Sequence, residues 1–427
     1  MAINKYFSVG EYFMSRINPF SFNLPVQPPE FVGRHREISI FENFLQNTID
    51  GFPKNYIISG PRGIGKTSLL DKFVEIARKQ GALVIKFPTS SSPVGRIASL
   101  SELNRTILLE LYTEIDTQSR LGFIKAKSAT EARKAIEENL KRCADFGRPK
   151  QIEIPFFVDA LLRVWQNLSE SFKAVVLMID EAERLESIPN CLDYLRETFI
   201  RIETLKAKYM LTFAGKMTFP NKTAEMASPI MRFFHTETLE NLSEEELNKF
   251  IEFKTNGTGV VINIEVKKKL YAETEGHPYF AVTYLYVLFQ KLPDEKNEID
   301  LNHYNACMPE INKFLAKEYF DDLFYRSSKQ AKEILVAIAK NKEIILELST
   351  LREMLKKEAN KISPYLGELS STGILTRIAH GTYKVFHPLF LSYLIEEEKN
   401  GRLLIIKPIR KKVFPISKGN KSLFDNY

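Results

Sequence analysis

Short apolar runs and helical stripes alternate along the first 240 residues of this chain. The runs at 56–58, 82–87, 174–179, 209–213 and 234–239 read as strands. The third has no polar interruption, the mark of a strand buried on both faces of a parallel sheet. Segments with helical period separate them, among them 67–77 and 188–205. Strands joined by helices run parallel with right-handed crossovers, so an α/β core with a five-stranded parallel sheet is expected. In that order the strand at 209–213 should lie beside both 56–58 and 174–179.

Beyond 240 the pattern becomes helical. Ser243 and Glu246 have capping-box spacing and start a helix, and Gly276-His277-Pro278-Tyr279 punctuates a helix–helix turn. From 327 to 394 the order is helix, helix, helix, hairpin. Ala331, Ile334, Leu335 and Ile338 stripe the first helix. Ser349 or Thr350 caps the second, which runs to about Lys357, and the third spans about 363–371 with Pro364 in its first turn. Strands at 375–378 and 383–386 flank the turn Ala379-His380-Gly381-Thr382. This is the order of a winged-helix domain. The expected division is an N-terminal extension at 1–30, a core at 31–240, a helical lid at 241–325, a winged helix at 326–398 and a tail at 399–427. A polar, charge-mixed insertion at about 113–155, helical around 129–142, interrupts the core.

The chemistry sits at two strand ends. Gly60-Pro61-Arg62-Gly63-Ile64-Gly65-Lys66-Thr67 follows the first strand and opens a helix that continues with Ser68. This is a G-x-x-x-x-G-K-[ST] phosphate-binding loop in its required strand–loop–helix context. The glycines let backbone N–H groups turn inward around phosphate oxygens at a helix N-terminus. Lys66 is expected to reach the β- and γ-phosphates, and the Thr67 hydroxyl to ligate Mg²⁺. The buried strand at 174–179 ends in Asp180 and Glu181. Asp180 is suited to hold Mg²⁺ through water, and Glu181 to orient and deprotonate the water that attacks the γ-phosphate. A polar γ-phosphate sensor is expected at the end of the strand 209–213, where Thr212 and Lys216 are both candidates.

Asn18-Pro19-Phe20, Phe31-Val32-Gly33-Arg34-His35-Arg36-Glu37-Ile38, the phosphate loop and Ile179-Asp180-Glu181 together resemble the archaeal AAA+-type P-loop ATPases. These belong to the STAND branch and are related to initiator ATPases. The resemblance covers roughly 18–394. It implies an ATPase core, a helical lid and a winged helix, with ATP or ADP and Mg²⁺ as cofactors. It also implies that Phe31, Val32, Gly33 and Arg34 help wall the adenine and that Pro278 packs near the nucleotide. Arg232 resembles the arginine that related ATPases offer to a neighbouring subunit's γ-phosphate. Phe386-His387-Pro388 resembles a Met-His-Asp motif whose histidine touches the ADP β-phosphate, although proline here replaces the aspartate.

Composition narrows the remainder. Hydrophobic and charged shares of 44% and 26% are ordinary for globular domains. Three widely spaced cysteines give neither a disulfide framework nor a zinc spacing. No signal peptide or spanning segment is legible, so a cytoplasmic protein with no membrane partner is expected. The net charge of +7 comes almost entirely from a tail bearing Arg402, Lys407, Arg410, Lys411, Lys412, Lys418 and Lys421 against Asp425. The expected activity is slow, Mg²⁺-dependent ATP hydrolysis coupled to lid and winged-helix rearrangement. Its output remains open between duplex DNA, met by the winged helix and basic tail, and self-association or a protein partner.

Overall fold

The computed structural model describes residues 17–22, 24–90, 96–144, 154–216 and 232–404. They fall into two compact units. One is built on Pro25–Asn241 and the segment from Ser327 onward, the other on Leu242–Arg326 and the segment ending at Leu24.

The first unit begins with α1 (His35–Ile49) and continues β1 (Asn55–Ser59), α2 (Lys66–Lys79), β2 (Ala82–Pro88), α3 (Leu100–Arg120), α4 (Ala126–Ala144), α5 (Ile154–Leu168), β3 (Ala174–Asp180), α6 (Cys191–Thr204), β4 (Tyr209–Gly215) and β5 (Phe234–Thr238). All five strands are parallel, in the order β2-β3-β4-β1-β5. The sheet is thus the expected one, and β4 does pair with both β1 and β3.

Strand alternation sorts the sheet into two apolar faces. Tyr56, Ile58, Val84, Val176, Met178, Met210 and Ala214 form a core with Phe41 and Leu45 of α1 and Leu69, Leu70 and Phe73 of α2. Ile57, Ile85, Phe87, Leu177, Ile179, Leu211 and Phe213 pack on the opposite side against α3, α4, α5 and α6. The segment read as a polar insertion contributes to this second core. Thr113 lies inside α3, and Ile115, Ile124, Ala129, Ala132 and Ile136 are buried. Its polar residues are the solvent faces of amphipathic helices, and their apolar stripes pack inward. Residues 145–153 lie outside the described segments.

The same unit contains α12 (Lys329–Asn341), β8 (Ile345–Glu347), α13 (Leu348–Leu355), α14 (Ala359–Ser371), β9 (Leu375–Ala379), β10 (Thr382–Val385) and α15 (Pro388–Lys399). Strands β8, β10 and β9 form an antiparallel sheet in that order. Three local readings change. Helix α13 starts after Glu347, with Ser349 inside its first turn bonding the Glu347 carboxylate, so neither Ser349 nor Thr350 is the cap. Strand β8 was not legible, being short with only Leu346 buried. Helix α14 begins about a turn earlier than expected, which puts Pro364 in its interior. Ile362, Leu366 and Leu369 bury its apolar face, and that packing outweighs the lost N–H.

In the second unit, α7 (Glu244–Thr255) opens with the capping box read from the sequence: Ser243 and Glu246 satisfy each other's backbone. Then come α8 (Ile264–Thr274), α9 (Pro278–Gln290), α10 (Leu301–Leu315) and α11 (Asp321–Arg326), with a two-stranded pairing of β6 (Val261–Ile262) and β7 (Glu298–Ile299). Asn18 donates to the Tyr286 carbonyl (2.9 Å), and Phe20 packs edge-on against Phe289. Among the described residues no helix is long and apolar enough to cross a membrane.

The turn between α8 and α9 depends on Gly276. Its φ is +72°, and a Cβ there would collide with the carbonyl oxygen of Leu242, whose own N–H bonds the Gly276 carbonyl at 3.0 Å. Gly276→Ala is therefore expected to destabilise this unit by ~3 kcal/mol. Gly257→Ala, at φ +78° with open space around it, should cost only about 1 kcal/mol. Thermal unfolding of the two variants tests the difference, and equal midpoints would refute the steric account.

Candidate functional site

Parallel pairing carries the C-terminal ends of β1 and β3 to the same edge of the sheet, one on each side of β4. The phosphate loop leaves β1 there. At Gly60 a Cβ would sit 2.9 Å from the Ile64 side chain, so a larger residue would crowd the loop, and the Gly60 N–H donates to the Gly215 carbonyl at 3.2 Å. Gly63 and Gly65 take φ of +79° and +97°, conformations that side chains resist. Ile64 is buried in the core under α2, and the Ser68 hydroxyl accepts the N–H of Val26 at 3.0 Å.

Lys66 folds back over the loop, its ammonium donating to the carbonyls of Gly60 (2.9 Å) and Pro61 (2.8 Å). Burial pushes its pKa down to about 8, against the pull of Glu183 and Asp180, and Lys216 adds repulsion. The charges that act on Lys66 are thus of both signs, the carboxylates Glu183 and Asp180 and the cation Lys216.

Asp180, 8% exposed, joins the loop to β3. One carboxylate oxygen accepts from the Thr67 hydroxyl at 2.7 Å, and the other accepts from the Glu181 N–H at 2.8 Å. Glu181 has φ +53°, unusual for a residue with a side chain. Thr89, fully buried at the end of β2, braces that bend: its N–H donates to the Asp180 carbonyl (3.1 Å) and its hydroxyl to the Glu181 carbonyl (2.8 Å). The Glu181 carboxylate pairs with Arg184 at 3.4 Å. Sequence reading did not single out Thr89, Glu183 or Arg184. Their signal was proximity to Asp180-Glu181 along the chain or across the sheet, and neither side chain type nor spacing marks them.

The other expected site residues take varied positions. Thr212 is fully buried in mid-strand, opposite Tyr56 and Met178, whereas Lys216 is exposed just beyond the strand end. Phe31 is half-buried against the core under α1, and Val32 is also half-buried. Gly33 is buried at φ +81°. Arg34, 7% exposed, donates to the carbonyls of Ile64 (3.2 Å) and Glu240 (2.7 Å) and lies 3.5 Å from Glu37. Arg232 is exposed immediately before β5, and 217–231 lie outside the described residues. Pro278 is the first residue of α9. His387, 1% exposed, caps α15: its Nδ1 accepts the Leu389 N–H at 3.1 Å, with Pro388 in the first turn.

Residues 30–190 match the AAA ATPase domain. That span holds the phosphate loop, Asp180 and Glu181, and it is less than half of the chain. No curated protein matches the chain in sequence. Among solved structures, the Walker-type ATPase PABY2304 of Pyrococcus abyssi superposes with a TM-score of 0.62 at 16% identity, covering 87% of this chain and 99% of its own. The Aeropyrum pernix ORC2 protein, solved as ADPNP–ADP complexes, superposes with a TM-score of 0.55 at 15% identity, covering 89% and 98%. At such identities the likeness is one of fold, an α/β P-loop NTPase with a five-stranded parallel sheet.

The lowered pKa of Lys66 makes a ligand-independent prediction. The folded protein holds this lysine at a pKa of about 8, and the unfolded chain at about 10.4. Between those values the unfolded chain binds more protons, so wild-type stability should rise with pH relative to Lys66→Met. Denaturant titrations of both proteins at pH 7 and pH 10 read the difference. Parallel stability curves would show that burial does not penalise the ammonium.

Proposed function

We propose that the chain is a Mg²⁺-dependent ATPase that binds ATP and ADP at the loop 60–68 and hydrolyses ATP slowly. The observation that carries this is the 2.7 Å hydrogen bond from Thr67 to Asp180. Two hard oxygen donors set side by side at the mouth of a phosphate loop suit Mg²⁺, which keeps most of its waters. Thr67 and Asp180 would hold the ion, which when bound neutralises the developing phosphate charge. Lys66 would release the Gly60 and Pro61 carbonyls to meet the phosphates. Glu181, half exposed beside the cluster, is the group to take a proton from the attacking water. Lys216 stands at the strand end within electrostatic reach of Lys66, and this supports it over the deeply buried Thr212 as γ-phosphate sensor. Adenine is favoured by the resemblance to AAA+-type ATPases and by the adenine nucleotides in the ORC2 structure.

For the output we favour duplex DNA, met by a winged helix built from α12 to α15. An acidic Glu368 on α14 would repel DNA if it faced the duplex. Its carboxylate instead accepts from the N–H (2.8 Å) and hydroxyl (2.6 Å) of Ser328, the residue that caps α12. The exposed face of α14 then offers Asn360, Lys361, Ser363 and Gly367, and the β9–β10 hairpin adds Arg377 and His380. Amide, hydroxyl and cationic groups on a helix with a small residue suit close approach to phosphates and base edges. The basic tail from Lys407 lies outside the described residues and would add salt-sensitive contacts. Arg232, exposed before β5, is kept as the arginine offered to a neighbouring subunit, and Pro278 and His387 as links from nucleotide to the moving domains.

Steady-state ATP hydrolysis with and without duplex DNA tests both parts. Glu181→Gln is expected to lower turnover by about 100-fold or more while nucleotide binding persists. DNA should stimulate the wild type, and high salt should abolish the stimulation. Equal turnover of Glu181→Gln and wild type would remove Glu181 from the chemistry. Turnover indifferent to DNA, with ATP-dependent self-association, would move the output to protein contact, for which exposed Leu121 and Phe123 offer apolar surface.

A further inference from the structure

One feature near the site stands apart, a buried arginine that bonds two backbone carbonyls. Arg34 precedes α1 at φ +60°, directly after Gly33 at φ +81°. Two consecutive left-handed residues turn its side chain inward, and the guanidinium is held in place with only 7% of the residue exposed. Conformations of this kind persist where the surrounding structure demands them. The demand here is visible: one guanidinium nitrogen donates both to the Ile64 carbonyl (3.2 Å) and to the Glu240 carbonyl (2.7 Å), while the other faces Glu37 (3.5 Å).

Ile64 lies between the two left-handed glycines of the phosphate loop. Its carbonyl shares a rigid trans peptide with the N–H of Gly65, so the two groups point in opposite directions. Tying the carbonyl to Arg34 on the outside turns the Gly65 N–H to the inside, toward the cradle. The cation also polarises that peptide, making its N–H a stronger donor to an anion. The second bond holds Glu240, which directly follows β5 and Leu239; Leu239 in turn packs beside Gly60, and its N–H bonds the Ser59 carbonyl at 2.8 Å. One guanidinium therefore spans the loop and the chain leaving the last strand.

We propose that Arg34 is a positioning residue that presets the phosphate loop, and that it does not read the base. This rests on the nucleotide-binding reading above. A lysine at this position cannot replace it, because a single ammonium lacks the planar fork that reaches two carbonyls and a carboxylate together. Arg34 acts through the peptide it holds, so its loss should weaken every ligand that uses the cradle by one factor, whatever the ligand carries beyond its phosphates.

The test measures binding of Mg²⁺–ATP, Mg²⁺–GTP and inorganic tripolyphosphate to wild type, Arg34→Lys and Arg34→Gln, alongside the unfolding midpoint of each protein. Losing one charge-assisted hydrogen bond is expected to weaken all three ligands about tenfold or more. The ratio of ATP to GTP affinity should stay as in the wild type. A merely structural role would lower the unfolding midpoint and leave the affinities of the folded fraction unchanged, and that outcome overturns the proposal. Loss of ATP binding with tripolyphosphate unaffected would also overturn it and assign Arg34 to the adenine. Wild-type affinity of Arg34→Lys for all three ligands would do the same. If the wild type itself bound none of them, the nucleotide reading would fall instead. Should Arg34→Gln not fold, Arg34→Lys, which keeps the positive charge, carries the comparison.

Discussion

Thr67 and Asp180 stand 113 residues apart in the chain and 2.7 Å apart in space. Their hydrogen bond closes only because β4 lies between β1 and β3, which brings the end of each motif strand to one edge of the sheet. The two apolar layers hold that arrangement. Alternate residues of every central strand are buried on opposite faces, so a shift of one residue in any register would invert a strand against both cores. The precision of the site is thus a consequence of packing well below it.

Around this bond the backbone is held in conformations that need support. Glu181 bends into the left-handed region and Thr89 braces the bend from the neighbouring strand. Gly63 and Gly65 turn the loop, while Arg34 holds the peptide between Ile64 and Gly65 from behind. Each of these ties uses a buried donor on a backbone carbonyl, where an unmet partner would be costly. Charge follows the same logic. Lys66 bonds two carbonyls of its own loop, and Glu181 forms an ion pair with Arg184, so both side chains have protein partners within the site.

The C-terminal part of the first unit shows how a side chain's meaning depends on where it points. Glu368 on α14 reads from sequence as an acidic blemish on a surface helix, yet it bonds Ser328, the residue that caps α12. The helix that remains exposed is polar and free of that carboxylate. His387 likewise serves its own helix by accepting the Leu389 N–H, a role that a buried histidine before a proline fulfils whether or not a nucleotide is near.

Some of this was decided by the sequence alone. The five strands, the phosphate loop, the acidic strand end and the Ser243–Glu246 capping box all follow from local patterns, because apolar runs, glycine placement and cap spacing act within a few residues. Other features were settled only by tertiary contacts. The apolar stripes of α3 and α4 are thin enough to pass for a charged insertion until α5 and the sheet lie against them. Pro364 sits inside a helix because three leucine and isoleucine side chains bury that helix's face. Thr89 and Glu368 carry no motif, and the motif around Arg34 does not show which groups it meets, since their partners are backbone carbonyls, a backbone N–H and a capping hydroxyl from distant parts of the chain. Local chemistry determines which elements form; which side chain meets which backbone group is fixed only when the sheet and its layers close.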